Sequence, residues 1–227
     1  MSKYKKMTEE ASIVLVGSFN PAIFHPEWLL RHDLISEDDI DINKIDIVHP
    51  DLSKFYFDWL AIEVIPSKFT ARTNDPSKYS PLRDLVVSIF NILEHTPINQ
   101  LGLNLIMNFS ISSEDDWHRI GDTLAPKEIW NASLQNILSL TSLNHRVGLK
   151  SLSITTKRND DYDGDINISI GPSAVEKFSV NYSVNNHIEL KKDKLDLSST
   201  EVISNLWDKS VKMAQNLADT TLTEILQ

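Results

Sequence analysis

The most constraining feature of the sequence is a strict alternation of apolar side chains between Leu101 and Ile111. The odd positions of this segment are Leu, Leu, Leu, Met, Phe and Ile. A period of two residues is typical of a β-strand that buries one face, because successive side chains of a strand point to opposite sides. The segment therefore predicts a sheet that packs one face against a core.

Strand-like and helix-like patterns alternate along the rest of the chain. Strands are predicted at 13–19, 45–48, 55–65, 101–111, 147–156, 165–170, 177–184 and 187–191. Helices are predicted at 24–34, 82–93, 114–124, 126–143 and 198–226. The dipeptide Asn185-Asn186 is typical of a hairpin turn, and the three prolines within 66–81 predict a loop.

The last helix has the clearest signals. Ser198 and Glu201 form a capping-box pattern, and no proline or glycine follows before the end of the chain. The helix has more apolar residues than one narrow stripe along its surface can hold, since Trp207, Val211 and Met213 do not all lie on the same stripe. The surplus predicts contact with the first part of the chain or with a second subunit in a homodimer.

Taken in order, the elements suggest a duplicated unit. The predicted organisation is a disordered tail at 1–10, a first α+β repeat at 11–97 and a second at 98–227, in one continuous globular unit. The predicted fold class is α+β, a mostly antiparallel sheet with helices packed on one face and a long C-terminal helix.

This arrangement resembles an uncharacterised bacterial family of cytoplasmic two-repeat α+β proteins, known as conserved hypothetical proteins. The strand LGLNLIMNF, the paired closing helices and the long C-terminal helix carry the resemblance over most of the chain. The strand lacks the arginine near its start and the tyrosine after it that the family pattern has. The resemblance implies the fold and transfers no catalytic residues.

Composition excludes several classes of function. The 22 basic and 32 acidic residues give a net charge of −10, which argues against non-specific binding of nucleic acid or of an anionic membrane. The absence of cysteine excludes disulfides, thiol nucleophiles and zinc fingers. The six glycines lack the spacing of a phosphate-binding loop, a dinucleotide fingerprint or a nucleophile elbow. No cofactor is predicted.

Neither a signal sequence nor a membrane span is predicted. The apolar run at 13–16 is too short for the core of a signal peptide. No apolar stretch approaches the roughly 18 residues that cross a bilayer. The expected location is therefore the cytoplasm.

Four residues of the helix at 114–124 are the candidate catalytic group: Asp116, His118, Arg119 and Asp122. On a helix His118 and Asp122 share a face, so the pair could serve as a general base and the residue that orients it. The alternative interpretation is structural, because acidic residues in the first turn of a helix also stabilise its dipole.

The acidic segment 159–165 partly matches a calcium-binding loop. Its candidate ligands are Asp161, Asp163 and Asp165, with Gly164 at the position where the loop requires glycine. The position that requires a bidentate glutamate is Ile170, so a hairpin that turns at Asp163-Gly164 is the better interpretation.

Two functions remain from these observations. The first is a non-catalytic acidic module that binds another protein, a basic one, as antitoxins, immunity proteins and phage-defence accessory proteins do. The second is an enzyme or small-ligand-binding protein with its site near Asp116, His118, Arg119 and Asp122.

Overall fold

A nine-stranded antiparallel sheet organises the computed structural model, which describes residues 2–37, 45–138, 148–190 and 198–227. The strands are β1 (Tyr4–Gly17), β2 (Ile45–His49), β3 (Leu52–Tyr56), β4 (Ala61–Ile65), β5 (Lys68–Thr73), β6 (Ile98–Ile111), β7 (Leu152–Lys157), β8 (Gly164–Pro172) and β9 (Ser179–Glu189). The helices of the described residues are α1 (Pro26–Arg31), α2 (Tyr79–Ile92), α3 (Glu114–Leu124), α4 (Lys127–Leu138) and α5 (Ser199–Leu226). The predicted α+β class, with its long C-terminal helix, is confirmed.

The sheet has the order β2-β3-β4-β5-β1-β6-β9-β8-β7. The first half, β1 to β5 with α1 and α2, and the second half, β6 to β9 with α3, α4 and α5, have the same plan. Each half begins with a strand of 14 residues, β1 or β6, and ends with a long helix, α2 or α5. Between them lies a series of antiparallel strands, the last of which, β5 or β9, pairs with the first strand of its half. The two long strands pair with each other at the centre. The first half has five strands where three were predicted, and the duplication itself stays a prediction.

The core lies between the sheet and the helices. Alternate residues of β1 and β6, such as Ile13, Leu15 and Leu105, are buried because the pleat turns them towards α2 and α5. Helix α5 buries nine residues at helical spacing, among them a fully buried Trp207. It packs against β6, β9, α3 and α2. The surplus apolar surface predicted for this helix therefore contacts the first half, whereas the homodimer stays a prediction.

The predicted disordered tail at 1–10 is wrong from Tyr4 onwards. Residues 4–10 form the start of β1 and pair with the end of β6, where Tyr4 lies opposite Ile111. The segment looks disordered in sequence because its charged side chains alternate with few apolar ones. Its partner strand is about 100 residues away in the sequence, so the pattern of residues within 4–10 cannot indicate the pairing.

The predicted turn at Asn185-Asn186 is also wrong. Both residues lie inside β9, where they pair with Asn104 and Leu103 of β6. Asn186 is buried, and its amide donates a 2.5 Å hydrogen bond to Ser210 Oγ of α5. Pairing with β6 and this contact with α5 hold the two residues in an extended strand instead of a turn.

Three boundaries also differ from prediction. The predicted strand 55–65 is two strands, β3 and β4, and the predicted loop 66–81 contains β5 and the start of α2. Ser198 precedes α5 but makes no side-chain cap, because its hydroxyl pairs with Thr200 Oγ1. The end of the helix predicted at 126–143, and residues 147 and 191 of two predicted strands, lie outside the described residues.

Candidate interaction face

The face of the sheet opposite the helices carries continuous rows of side chains. One row crosses eight strands from β3 to β7, in the order Tyr56, Ala61, Arg72, Ser12, Asn104, Asn185, Asn167 and Thr155. A parallel row consists of Lys54, Glu63, Thr70, Val14, Gly102, His187, Asp165 and Lys157. These two rows and their neighbours on the same side are called the open face below. They are mostly polar because they alternate with the buried residues that face the helices.

In the first half, the open face is charged but balanced. A depression of about 310 Å³ is lined by basic and acidic side chains of β1, β3, β4 and β5. Arg72 Nη1 lies 3.2 Å from Glu10 Oε2, and the Lys54 ammonium lies 5.5 Å from the centre of the Tyr56 ring. The Arg72–Glu10 pair joins β5 to β1, and the basic and acidic side chains of this part of the face present both signs of charge to a ligand.

In the second half, the open face carries uncharged side chains, mostly amides and hydroxyls, beside the exposed Ile106. The Asn104 amide donates to Ser12 Oγ at 3.2 Å, and Thr155 Oγ1 donates to Asn167 Oδ1 at 2.8 Å. Serine side chains, Asn185 and four apolar residues complete the lining of a second depression, of about 380 Å³; the apolar residues are Ile106, Ile154, Ile168 and Val184. Amides and hydroxyls can both donate and accept hydrogen bonds, and removing them from water costs less free energy than removing charged groups.

A group of charged side chains of both signs surrounds a third depression, where β7 ends, β8 begins and β9 ends. His187 Nε2 is 3.0 Å from Glu189 Oε1, and the Gln100 amide donates to the same oxygen at 3.2 Å. At the end of the row, Lys157 Nζ lies 2.7 Å from Asp165 Oδ1. The hydrogen bond and charge of Asp165, with smaller contributions from Asp163 and Glu189, raise the pKa of Lys157. Carboxylates and the basic side chains of Lys157 and Arg158 therefore occur together at this corner of the sheet.

The predicted catalytic group lies on the helix side of the sheet, and the structure divides it. Asp116 caps the start of α3 with Ser113, whose hydroxyl donates to Asp116 Oδ2 and accepts from the Asp116 amide, both at 3.1 Å. Its carboxylate is mostly buried and has Arg119 at 3.3 Å and Lys3 at 3.7 Å. The structure therefore brings Asp116 and Arg119 together as a capping and ion-pair group.

The other two candidate residues have separate partners. His118 Nε2 lies 3.8 Å from Glu114 Oε1, one turn earlier on α3. Asp122 lies 2.9 Å from Lys127 Nζ at the start of α4. Within the part of the chain that the structure describes, His118 and Asp122 form no ion pair with each other, so the predicted base and its orienting residue are not assembled.

The three candidate calcium ligands lie in the hairpin between β7 and β8. Asp161 and Asp163 lie in the connection, Asp165 pairs with Lys157, and Gly164 begins β8 with a φ of 137° that favours glycine. The described residues contain no group of three or more histidine, aspartate or glutamate side chains that could hold a metal ion. The segment is a hairpin, as predicted, but the predicted turn at Asp163-Gly164 is wrong, because the connection is formed by residues 158–163 and Gly164 is the first residue of β8, paired with Ile188.

Sequence reasoning missed the residues of the open face. One signal was present, because the even positions of the alternating segment 101–111 include Gly102, Asn104 and Asn108. Polar residues in that phase indicate a strand whose second face is not covered. The residues of β5, β8 and β9 that share this face could not be identified in this way, because the sequence of one strand does not determine its register with a distant strand.

Comparisons with protein-family models and with curated proteins found no match. Among the described residues, no helix combines the length and the apolar character needed to cross a membrane.

Proposed function

We propose that this protein is a non-catalytic interaction protein that binds a partner protein through the open face. The observation that supports this proposal is the pair of side-chain rows that cross eight strands on the side opposite α2 and α5, with no helix of the described residues packed on them. Their side chains include amides, hydroxyls and charges of both signs. A surface of this chemistry is suited to many directional contacts with another polar surface.

The dimensions of the open face favour a macromolecule over a small substrate. Eight neighbouring strands span about 34 Å at the usual spacing of about 4.8 Å. A protein partner typically covers about 800 Å² on each side of an interface, which a face of this width can supply. The first two depressions are shallow features of this surface on either side of β1 and β6, and a single partner could contact both.

The charge of the chain favours a basic partner. The net charge is −10, yet the two rows carry three basic side chains (Lys54, Arg72 and Lys157) and two acidic ones (Glu63 and Asp165). Most of the acidic excess is therefore elsewhere on the molecule. Such an excess attracts a basic protein at long range and accelerates association, while the amides and hydroxyls determine the docked geometry.

The same properties occur in proteins that neutralise or regulate a basic partner. A bacterial antitoxin, immunity protein or phage-defence accessory protein acting in the cytoplasm is the biological setting we propose. The alternative of an enzyme at Asp116, His118, Arg119 and Asp122 has less support, because these residues pair with different partners along α3 and α4.

The proposal is tested by two variants that change charge equally on opposite sides of the molecule. Asn167→Arg with Thr155→Arg alters the open face, and Asn205→Arg with Asn216→Arg alters the exposed side of α5. A partner captured by the wild-type chain from its native host should bind the first variant at least tenfold more weakly and the second within twofold. The opposite order would place the interface on the helices.

A further inference from the structure

The two strands at the ends of the sheet differ in how well their outer edges are protected. At one end, β2 has an irregular register between Ile45 and Ile47 and contacts the turn at Pro21–Ile23. At the other end, β7 pairs with β8 in unbroken register, is exposed from Ser153 onwards, and has no proline and no charge before Lys157. Bulges, charges and covering segments are what prevent an edge strand from pairing with another chain. The edge of β7 is therefore open to such pairing.

The backbone of β7 presents hydrogen-bonding groups outward at alternate residues. The Arg158 amide donates to the Gly164 carbonyl oxygen at 3.3 Å, so these two residues form a hydrogen-bonded pair. Bonded and non-bonded pairs alternate along an antiparallel ladder, so the even-numbered residues of β7 bond to β8. The N–H and C=O groups of Ser153 and Thr155 therefore point away from the sheet, and none of the described residues bonds to them.

An apolar row on the helix side of the sheet ends at the same edge. It consists of Leu105, Val184, Ile168 and Ile154, on β6, β9, β8 and β7 in turn. Leu105 and Val184 are buried and Ile168 is partly buried, whereas Ile154 is 51% exposed. The row therefore ends on a large apolar side chain in contact with water, and covering that side chain would be favourable.

A second copy of the chain would satisfy both the outward backbone groups and Ile154. With a two-fold axis perpendicular to the sheet at Ile154, the two β7 strands run antiparallel, and Ile154 lies opposite its own copy. Ser153 then lies opposite Thr155 of the second copy, so residues with outward groups form the bonded pairs. Ile154 occupies a non-bonded pair, in which facing side chains are closest. Backbone bonding and apolar contact thus agree on one register.

The remaining side chains in this register are compatible with a second copy. Leu152 lies opposite Thr156 of the second copy, and Lys157 lies opposite its Ser151, so no like charges face each other. The apolar row continues across the axis into the same row of the second copy. An unrelated strand would need an apolar residue at this one position, which the chain itself already supplies.

We propose that the chain forms a homodimer in which the two β7 strands pair about Ile154 and join the two sheets into one. This inference goes beyond the proposed function and does not depend on it. The dimer places both open faces on the same side, where they can bind two sites of one partner assembly at once. A strand of six residues gives a small interface, so the dimer should be reversible and form at micromolar concentrations.

Cysteine crosslinking tests the pairing and its register, because the natural chain contains no cysteine. In Ile154→Cys the two Cα atoms would lie about 4.5 Å apart across the axis, which suits a disulfide. In Thr156→Cys, on the same side of the sheet, the two cysteines would lie about 14 Å apart along the strands. Under mild oxidation we expect Ile154→Cys to form a disulfide dimer at least tenfold faster than Thr156→Cys. Equal rates, or no dimer from either variant, would overturn the proposal.

Sedimentation velocity of the full-length chain measures the dimer without crosslinking. Ile154→Lys should abolish it, because the lysine faces a like charge on the second copy. Thr155→Pro should abolish it as well, because proline removes an outward N–H group and no bond to β8. Ile47→Lys, at a similarly exposed position of β2, is the matched control and should sediment like the wild type. Circular dichroism checks that each variant is folded.

Two results would contradict the dimer: a wild-type chain that stays monomeric at its highest soluble concentration, or a dimer lost in Ile47→Lys and kept in Ile154→Lys. The failure of this proposal differs from that of the proposed function, because Ile154 lies on the helix side and its replacement leaves the open face unchanged. A dimer that survives Ile154→Lys overturns only the dimer. A captured partner that binds Asn167→Arg with Thr155→Arg as tightly as the wild type overturns only the proposed function.

Discussion

The Tyr79 hydroxyl donates a 2.9 Å hydrogen bond to Glu9 Oε1, which joins the start of α2 to the middle of β1. The same oxygen accepts a 2.7 Å hydrogen bond from the Gln215 amide of α5. Lys6 forms an ion pair with the other oxygen of Glu9. A single carboxylate, 4% exposed, therefore connects both closing helices to the central strand.

Replacing Glu9 should destabilise the fold strongly. Glu9→Ala leaves the Tyr79 hydroxyl and the Gln215 amide without their acceptor in a buried site, at a cost of about 2–4 kcal/mol in the free energy of unfolding. The matched control is Glu10→Ala on the open face, where Glu10 is partly exposed and pairs with Arg72. It should cost less than about 1 kcal/mol. Urea denaturation measures both values, and equal losses would show that the Glu9 group contributes no more than a surface pair.

Alkaline pH should weaken the fold through Tyr79. Burial, followed by the hydrogen bond and charge of Glu9, raises the pKa of Tyr79 well above its ordinary value of 10.0. The unfolded chain loses this proton first, so the stabilisation is complete below about pH 10 and declines as the pH rises further. Unfolding free energies measured at rising alkaline pH should fall less steeply for Tyr79→Phe than for the wild type. Identical slopes would contradict the burial of this hydroxyl.

Trp207 should be the most sensitive single position of α5. It is fully buried, and its ring meets Tyr79 edge-on with 6.3 Å between ring centres. Trp207→Ala should reduce the free energy of unfolding by about 3–5 kcal/mol, because it removes a large side chain and leaves a cavity. Asn205→Ala, exposed on the same helix, is the control and should be nearly neutral. Thermal unfolding followed by circular dichroism distinguishes them, and a small loss at Trp207 would place α5 at the periphery of the core.

His118 should be dispensable for function. Its imidazole pairs with Glu114 rather than with Asp122, and its side chain is 41% exposed. His118→Ala should therefore leave partner binding unchanged and alter stability by less than about 0.5 kcal/mol. A loss of biological activity of about a hundredfold with the fold retained would favour the enzyme alternative, since a general acid or base contributes at least that much.

The sequence predicts those elements of the fold whose signal is local. The alternation at 101–111 and the helix at 114–124 both depend on residues close together in the chain, and both predictions agree with the structure. The start of β1 and the interior of β9 depend on pairing with β6 instead. Tyr4 and Asn185 could not be placed correctly, because their partners on β6, Ile111 and Asn104, are more than 70 residues away in the sequence.

The candidate site was predicted less well than the fold. A catalytic site was predicted on α3 because many titratable side chains lie close together there in the sequence. In the structure its acidic residues serve as capping and ion-pair groups. The open face is built from Ser12, Asn104 and Asn185, none of which has a chemical signature by itself. Only their register in the sheet brings them into one row.

Photo-crosslinking in the native host is the most direct measurement of whether the open face binds a partner. A benzophenone side chain placed at Thr70, Asn167 or Asn185 samples the open face, and the same group at Asn205 or Asn216 samples the exposed side of α5. We predict that the three open-face positions crosslink to one common basic protein and that the two α5 positions do not. Crosslinking of that protein from α5 alone, with none from the open face, would contradict the account.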